Sequence, residues 1–183
     1  VFRISEGATG NIFNGSFGDD AHKFQIISLA DNTKATFRSP TIAANNSAAG
    51  EGIGIGNNSV MVFDSSNNAM NIIGSIQGLS GTDQGTAMFI VNGNDINVLN
   101  DVGFTGNAYK LHAINMLFKS ENTLTFKESV AASTIRTSGV AGNLIFMPNP
   151  IVSQFGVSLH AFIKATNIKL GGETTMTLDS TNN

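Results

Sequence analysis

Short segments of the chain alternate polar and apolar residues, as half-buried β-strands do. Lys23-Phe24-Gln25-Ile26 and Thr123-Leu124-Thr125-Phe126 show this alternation. On such strands we expect the phenylalanines to face a core and the threonines to face solvent. Residues rich in Gly and Asn separate the segments, and these residue types favour turns. The pattern therefore predicts many short strands joined by tight corners.

Similar strings recur three times in the same order along the chain. Each copy opens on a phenylalanine and closes on a phenylalanine or leucine about 20–23 residues later, and this near-constant spacing predicts a degenerate structural repeat. Phe2 and Phe89 lie at the same distance before the opening phenylalanines of two copies, which extends the likeness upstream. The opening residues are Phe17, Phe104 and Phe155, and the closing residues are Phe37, Phe126 and Leu178.

A repeat of this length fits one coil of a β-solenoid. One coil cannot bury its apolar side alone, whereas stacked coils share a continuous core. We therefore expect an all-β fold, a right-handed parallel β-solenoid or β-helix with coils of about 20–23 residues. A β-sandwich or jelly roll is the alternative, because its strands are also short and regularly spaced. Residues 1–183 form a single repetitive domain in this interpretation, and the opening and closing residues of the repeat point into its core.

Composition supports the all-β prediction. Asn, Gly, Ser and Thr make up 75 of the 183 residues, and phenylalanine supplies 13 of the 14 aromatic residues. A helical bundle is disfavoured because Ala, Leu, Glu and Lys dominate such chains. The 41% hydrophobic content and the net charge of −3 argue against intrinsic disorder.

Charge, hydropathy and cysteine content exclude several classes of function. The chain has no cluster of Lys and Arg, so we expect no nucleic-acid partner. No apolar run approaches the length of about 18 residues that a transmembrane helix requires. The absence of cysteine excludes disulfide scaffolds and thiolate metal sites. The chain opens at Val1 without a methionine or a signal-like segment, and we expect a processed product or a fragment of a larger secreted chain.

Two strings in the second half of the chain carry a family resemblance. They are Phe104-Thr-Gly-Asn-Ala-Tyr-Lys-Leu-His-Ala-Ile114 and Gly142-Asn-Leu-Ile-Phe146, with Asn122-Thr-Leu-Thr-Phe126 between them. Together they resemble the degenerate repeats of rickettsial surface-antigen autotransporter passengers, most closely from residue 89 onwards. The resemblance implies a secreted β-helical passenger that is displayed at the bacterial cell surface for adhesion or as a coat.

Three histidines are the first candidates for chemistry. His22 and His160 each follow an opening phenylalanine at the same spacing, and Tyr109 occupies this place in the third copy. A histidine that recurs with the repeat is more often structural than catalytic. His112 stands alone, and no Gly-x-Ser-x-Gly nucleophile motif is present. We assign no catalytic residue.

The segment from Gly52 to Gly56 has the spacing of a nucleotide-binding glycine loop. Such a loop requires a preceding apolar strand and a following helix, so that phosphate meets the helix N-terminus. Here a small-residue stretch precedes the glycines, and a turn and a strand follow them. We interpret the segment as a glycine-rich corner of a coil and assign no cofactor-binding residue.

Clustered Asp and Asn residues raise the question of calcium. Asp19-Asp20 and the Gly93-Asn94-Asp95 core offer oxygen ligands, and Ca²⁺ requires six to eight of them. Calcium-binding β-rolls complete each site with tandem repeats, and a single copy cannot do so. We interpret both segments as Asn/Asp turns, with calcium near Asp19 or Asp95 as the alternative, and assign no metal ligand.

The two ends of the predicted solenoid suggest self-association. Val1-Phe2-Arg3-Ile4 is apolar and strand-like, and Thr174-Thr175-Met176-Thr177-Leu178 is a strand close to the other end. Soluble solenoids cover such ends with polar caps, and neither segment looks like a cap. We therefore expect head-to-tail contacts with other copies of the chain, or host-surface molecules as partners.

The function that these observations favour is non-enzymatic. We expect an extracellular structural or interaction protein of a bacterial surface, such as an adhesin passenger, a surface-layer subunit or a filament subunit. The alternative is a β-helical enzyme acting on polysaccharide. That enzyme would need paired carboxylates in an aromatic-lined cleft, and the chain has no tryptophan and one tyrosine.

Overall fold

The computed structural model describes residues 1–45, 52–81, 83–103, 110–147, 151–152, 158–159, 163–171 and 174–178. These residues form strands, turns and bends, with no helix among them. The strands are β1 (Phe2–Ile4), β2 (Asn11–Phe13), β3 (Ile26–Leu29), β4 (Lys34–Phe37), β5 (Thr41–Ala43), β6 (Gly52–Ile55), β7 (Val60–Asp64), β8 (Met70–Ile73), β9 (Ile76–Gly78), β10 (Gln84–Val91), β11 (Ile96–Val98), β12 (Leu111–Phe118), β13 (Thr123–Phe126), β14 (Val130–Gly139), β15 (Gly142–Phe146), β16 (Ile151–Val152), β17 (Ser158–Leu159), β18 (Ile163–Lys169) and β19 (Thr174–Leu178).

The strands build three parallel sheets that run along the molecule. The seven-stranded sheet has the order β18-β14-β12-β10-β7-β4-β2, the six-stranded sheet β19-β15-β13-β11-β8-β5, and the four-stranded sheet β1-β3-β6-β9. β16 and β17 form a separate antiparallel pair. Because successive visits of the chain add one strand to each long sheet, the fold is a β-solenoid. The prediction of an all-β parallel solenoid is confirmed, and the β-sandwich alternative is wrong.

The coil is longer than the sequence repeat suggested. Phe37 pairs with Phe63 and Phe63 pairs with Phe89, so the register advances by 26 residues at each of these steps. The shorter coil predicted from the sequence repeat is therefore wrong for this part of the chain. The next step, from Phe89 to Met116, is slightly longer, and the step from Met116 to Thr137 is clearly shorter.

The strings that carried the predicted repeat occupy different sheets, which explains the error. Phe37 ends β4 of the seven-stranded sheet, whereas Phe126 ends β13 of the six-stranded sheet. Phe2 and Phe89 also differ, since β1 and β10 belong to different sheets. β4 and β13 both end in Thr followed by Phe although they belong to different sheets. The similarity therefore identified the closing segments as strands but did not identify equivalent positions on successive coils.

A column of phenylalanine rings forms the centre of the core. Phe63 and Phe89 stack with ring centroids 5.2 Å apart, and Phe89 meets Phe126 edge to face at 5.4 Å. The column moves to the six-stranded sheet here because Met116, not a phenylalanine, follows Phe89 in its own sheet. Ring contacts of this kind stabilise the fold beyond the contribution from the burial of apolar area. The members of the column, in order, are Phe13, Phe37, Phe63, Phe89, Phe126 and Phe146.

The predicted core positions are confirmed where the structure describes them. Phe37 and Phe126 are buried, and Phe17 is partly buried against the same core. Phe104 and Phe155 lie outside the described residues. Leu178 pairs with Phe146 through the backbone, and its side chain lies outside the described part.

The glycine-rich segment is a strand, so its interpretation as a corner is wrong. Gly52–Ile55 forms β6, whose residues are all buried between β3 and β9. The glycines allow close packing, because a Cβ on Gly54 would lie 2.7 Å from Leu79 Cδ1. No helix follows, so the arrangement of a dinucleotide-binding loop is absent from this described segment.

Candidate functional site

A cavity of about 450 Å³ opens at the point where three neighbouring strands of the seven-stranded sheet begin. These strands are β7, β10 and β12, in the middle of the sheet, and each of three successive coils contributes lining residues. The turn before β7 contributes amides and a hydroxyl. The residue directly before β10 contributes a carboxylate, and β12 contributes an imidazole. The lining residues are Asn57, Asn58, Ser59, Val60, Asp83, Gly85, Thr86 and His112.

Two of the lining residues hold an unusual backbone conformation. Asn58 has a φ of 52° and Asp83 a φ of 60°, in the left-handed region that side chains other than glycine rarely adopt. Asn and Asp tolerate this region best because their short polar side chains bond locally. Asn58 Nδ2 also donates to Oδ1 of Asn32, at 3.4 Å, and Asn32 has a φ of 55° on the preceding coil. This hydrogen bond connects the corner at Asn58 with the corner of the preceding coil.

The Asp83 carboxylate is the centre of a small polar cluster. The Ser133 hydroxyl donates to Asp83 Oδ1, and His112 Nδ1 lies 3.6 Å from Oδ2. The bond from Ser133 holds the pKa of Asp83 below its usual value, and His112 and Lys110 lower that pKa further. Asp83 is therefore ionised at neutral pH.

This cluster differs from a catalytic triad. In a triad the histidine lies between the hydroxyl and the carboxylate and takes the proton from the hydroxyl. Here the carboxylate lies between Ser133 and His112, and Ser133 donates its hydrogen to Asp83. The arrangement offers hydrogen-bonding groups to a ligand and does not activate Ser133 as a nucleophile.

Sequence reasoning did not identify Asp83 or Ser133. These two residues are 50 positions apart and contact each other across two coils, so no local pattern connects them. The polar stretch between β9 and β10 indicates a turn, but nothing in it indicates a ligand-binding site. Of the histidines considered from sequence, His112 joins the cavity. His160 and Tyr109 lie outside the described residues.

His22 and the first acidic segment form a turn. Asp19 Oδ1 accepts hydrogen bonds from the backbone nitrogens of Ala21 and His22, at 2.8 and 2.7 Å, and His22 Nδ1 lies 3.1 Å from the same oxygen. The bond from the His22 backbone lowers the pKa of Asp19. Asp20 pairs with Lys23 at 3.2 Å.

Asp95 forms a bridge between coils. Its Oδ1 accepts from the Thr123 backbone nitrogen at 2.8 Å and from Asn122 Nδ2 at 3.2 Å. This carboxylate oxygen therefore satisfies donors of the protein itself. Within the described ranges, no three His, Asp or Glu side chains converge as metal ligands would. Calcium near Asp19 or Asp95 stays an alternative prediction.

The end of the solenoid that contains β1 and β2 forms a second notable surface. Phe2, Phe13, Phe17 and Phe24 pack on one another here and are only partly buried. Phe2 and Phe17 have ring centroids 5.0 Å apart and meet edge to face. We call these four residues the aromatic end.

In the described part of the chain, no helix has the length and hydropathy needed to cross a bilayer. No protein-family model, curated protein or solved structure matches this chain.

Proposed function

We propose that this chain is a non-enzymatic, extracellular structural or interaction protein of a bacterial surface whose copies associate end to end. The observation that carries the proposal is the open backbone edge of β2 beside the partly buried aromatic end. β2 is the outermost strand of the seven-stranded sheet and pairs only with β4 among the described strands. An open parallel edge is a template for another strand.

The register identifies the open backbone groups of β2. Phe13 accepts a hydrogen bond from the Arg38 backbone nitrogen at 2.7 Å, so the Phe13 backbone faces β4. Successive residues of a strand direct their backbone groups to opposite neighbours. The N–H and C=O of Ile12 therefore face outward, where they can pair with a further strand.

The seven-stranded sheet also has a second edge. Among the described strands, β18 is the outermost strand of this sheet and β19 is the outermost strand of the six-stranded sheet. Large apolar side chains are exposed on and beside these strands, namely Ile168, Leu170 and Met176, at 50%, 49% and 37%. The described strands of this sheet are all parallel. β18 of one copy can therefore pair side by side with β2 of the next copy as a further parallel strand. Such a head-to-tail contact does not close, so it builds filaments or arrays.

The surface location in this proposal is supported by composition and by the resemblance to autotransporter passengers. The chain combines a cysteine-free sequence with many Asn, Gly, Ser and Thr residues. Antibodies against the chain should label intact cells of the organism that produces it. Labelling that requires permeabilised cells would contradict the proposed location.

The alternative, a polysaccharide-acting enzyme, has less support. Glycoside hydrolysis commonly uses two carboxylates on either side of the scissile bond. Among the described residues that line the cavity, Asp83 supplies the one carboxylate.

Sedimentation velocity at micromolar concentrations tests the association. The wild-type chain should form species larger than the 19.1 kDa monomer, and their fraction should rise with concentration. Ile12→Pro removes the outward N–H at an edge position where proline is tolerated, and it should leave only monomer. Ile12→Ala is the matched control, because it also removes the apolar side chain but keeps the N–H.

Two results would overturn the self-association proposal. One is a wild-type chain that remains monomeric at every concentration and does not assemble with time. The other is an Ile12→Pro variant that assembles as readily as Ile12→Ala, since the open N–H would then have no part in the contact.

A further inference from the structure

We infer that the cavity at the start of β7, β10 and β12 binds a neutral, hydroxyl-rich ligand, specifically a saccharide unit of a glycan. This inference is separate from end-to-end association. The three strands lie in the middle of the seven-stranded sheet, whereas association uses β2 and β18 at its two ends.

The hydrogen-bonding groups of the cavity match vicinal hydroxyls. Each sugar hydroxyl both donates and accepts, so it pairs best where acceptors and donors stand side by side. Asp83 supplies a carboxylate acceptor, and Thr86 supplies a hydroxyl. The side-chain amides of Asn57 and Asn58 each supply a donor and an acceptor. Hydrogen bonds to an ionised group are about twice as strong as those between neutral groups. Asp83 is therefore the expected anchor for the ligand.

The charges around the cavity favour an uncharged ligand. Asp83 is negative, but His112 lies 3.6 Å from its Oδ2, and Lys110 acts on the same carboxylate. Lys110 already offsets part of the charge of Asp83, so a cationic ligand gains less from this carboxylate, and an anionic ligand would be repelled by it. A polyol is subject to neither effect.

Size and rigidity also fit this ligand class. Ligand pockets in proteins commonly span about 300–1,000 Å³, and the cavity of about 450 Å³ falls within that range. The hydrogen bond from Ser133 to Asp83 Oδ1 positions the Asp83 carboxylate before any ligand arrives.

Titrations followed by backbone-amide NMR test the inference. The probes are the methyl glycosides of glucose, galactose, mannose and N-acetylglucosamine, with acetate and putrescine as charged probes. At least one glycoside should shift the signals of Asn58, Thr86 and His112 saturably, with a Kd in the millimolar range. The charged probes should not saturate these shifts.

Variants connect binding to Asp83. Asp83→Asn keeps a residue that tolerates positive φ but removes the charge, and affinity should fall at least about tenfold, or 1.4 kcal/mol. Asp20→Asn removes a carboxylate from a remote exposed turn and should leave affinity unchanged. Should Asp83→Asn lose its β-sheet circular dichroism, His112→Ala takes its place, because His112 is 63% exposed and can be truncated without disturbing the core.

Three results would overturn the inference. The first is no saturable shift with any glycoside up to about 50 mM, far above the Kd expected for a specific site. The second is equal glycoside affinity in the wild type and in the folded cavity variant. The third is saturation by acetate or putrescine in the absence of glycoside binding, which would assign the cavity to a charged ligand.

Discussion

Asp31 Oδ1 lies 2.8 Å from the backbone nitrogen of Asn57, which occupies the corresponding corner 26 residues further along the chain. One coil therefore caps the turn of the next coil. The same relationship recurs between Asp95 and Thr123 at 2.8 Å, and between Asp101 and Ser129 at 3.1 Å. Aspartates at the corners thus have a structural role that accounts for their position.

Asp31→Ala should destabilise the fold by about 1 kcal/mol, because the Asn57 nitrogen loses its acceptor at an exposed corner. Asp31→Asn retains an acceptor oxygen and should have a smaller effect. Urea denaturation of both variants measures the difference in the free energy of unfolding. Equal losses in the two variants would show that the oxygen acceptor is not the stabilising feature.

Phe63→Ala should destabilise the protein by about 3–5 kcal/mol, because it leaves a cavity in the middle of the ring column. Phe63 is fully buried and stacks on Phe89 at 5.2 Å. Ile12→Ala, at a side chain that is 51% exposed, is the control and should change stability by less than about 0.5 kcal/mol. Chemical denaturation of both variants gives the two losses. Similar values would contradict the register of the seven-stranded sheet.

Gly56→Ala should destabilise the fold because the added Cβ would lie 2.7 Å from the Ala30 carbonyl carbon and 2.8 Å from the Asp31 nitrogen. Backbone atoms cannot rotate away, so two adjacent coils must separate locally. Gly15→Ala is the control, because no heavy atom beyond Gly15 and its two chain neighbours lies within 4 Å of the position that its Cβ would take, and its φ is not in the left-handed region. Thermal unfolding should show a lower midpoint for Gly56→Ala alone.

Asp101 predicts a specific pH dependence. Burial raises its pKa above the ordinary value of 3.8, although Ser129 donates to the carboxylate. The folded state therefore binds this proton more tightly than the unfolded state does. The contribution of Asp101 to stability is fully present below pH 3.8 and is lost as the pH rises through the folded pKa.

Asp101→Asn removes this titration and keeps an oxygen acceptor for Ser129. Relative to the variant, the wild type should thus gain stability on acidification from neutral pH towards the ordinary pKa of an aspartate. Denaturation of both proteins across this range gives the difference directly. A difference that stays flat, or that grows in the opposite direction, would contradict the raised pKa.

The class of fold could be predicted well from the sequence because strand alternation is a local property. Thr123-Leu124-Thr125-Phe126 needed only its neighbours to be recognised, and it forms β13. The prediction of a strand at Lys23-Phe24-Gln25-Ile26 is wrong for its first three residues, because β3 begins at Ile26 and Phe24 makes an isolated bridge to Ala44. Coil length depends on which strands pair, and Thr-Phe endings occur in both long sheets. A correct signal was present in Asp31–Ser39 and Asn57–Ser65, which share Asn at the second position, Phe at the seventh and Ser at the ninth.

The cavity was beyond sequence reasoning for a related reason. Asp83, His112 and Ser133 belong to three different coils, and they meet only when the register of β10, β12 and β14 is known. The error at Gly52–Ile55 has another origin. Glycine normally indicates a turn. Here Gly54 lies within the buried strand β6, and its missing side chain leaves room for the side chain of Leu79.

From Phe37 to Phe63 and from Phe63 to Phe89, the strand register advances by the same 26 residues, so each of these coils adds the same length to the solenoid. Insertion or deletion of one whole coil would lengthen or shorten each sheet by one strand spacing, about 4.8 Å. Every side chain of the other coils would keep its inward or outward orientation. A slip of a single residue within a strand would instead invert that orientation. The length of such a solenoid along its axis can therefore change in steps of one coil, while its cross-section stays the same.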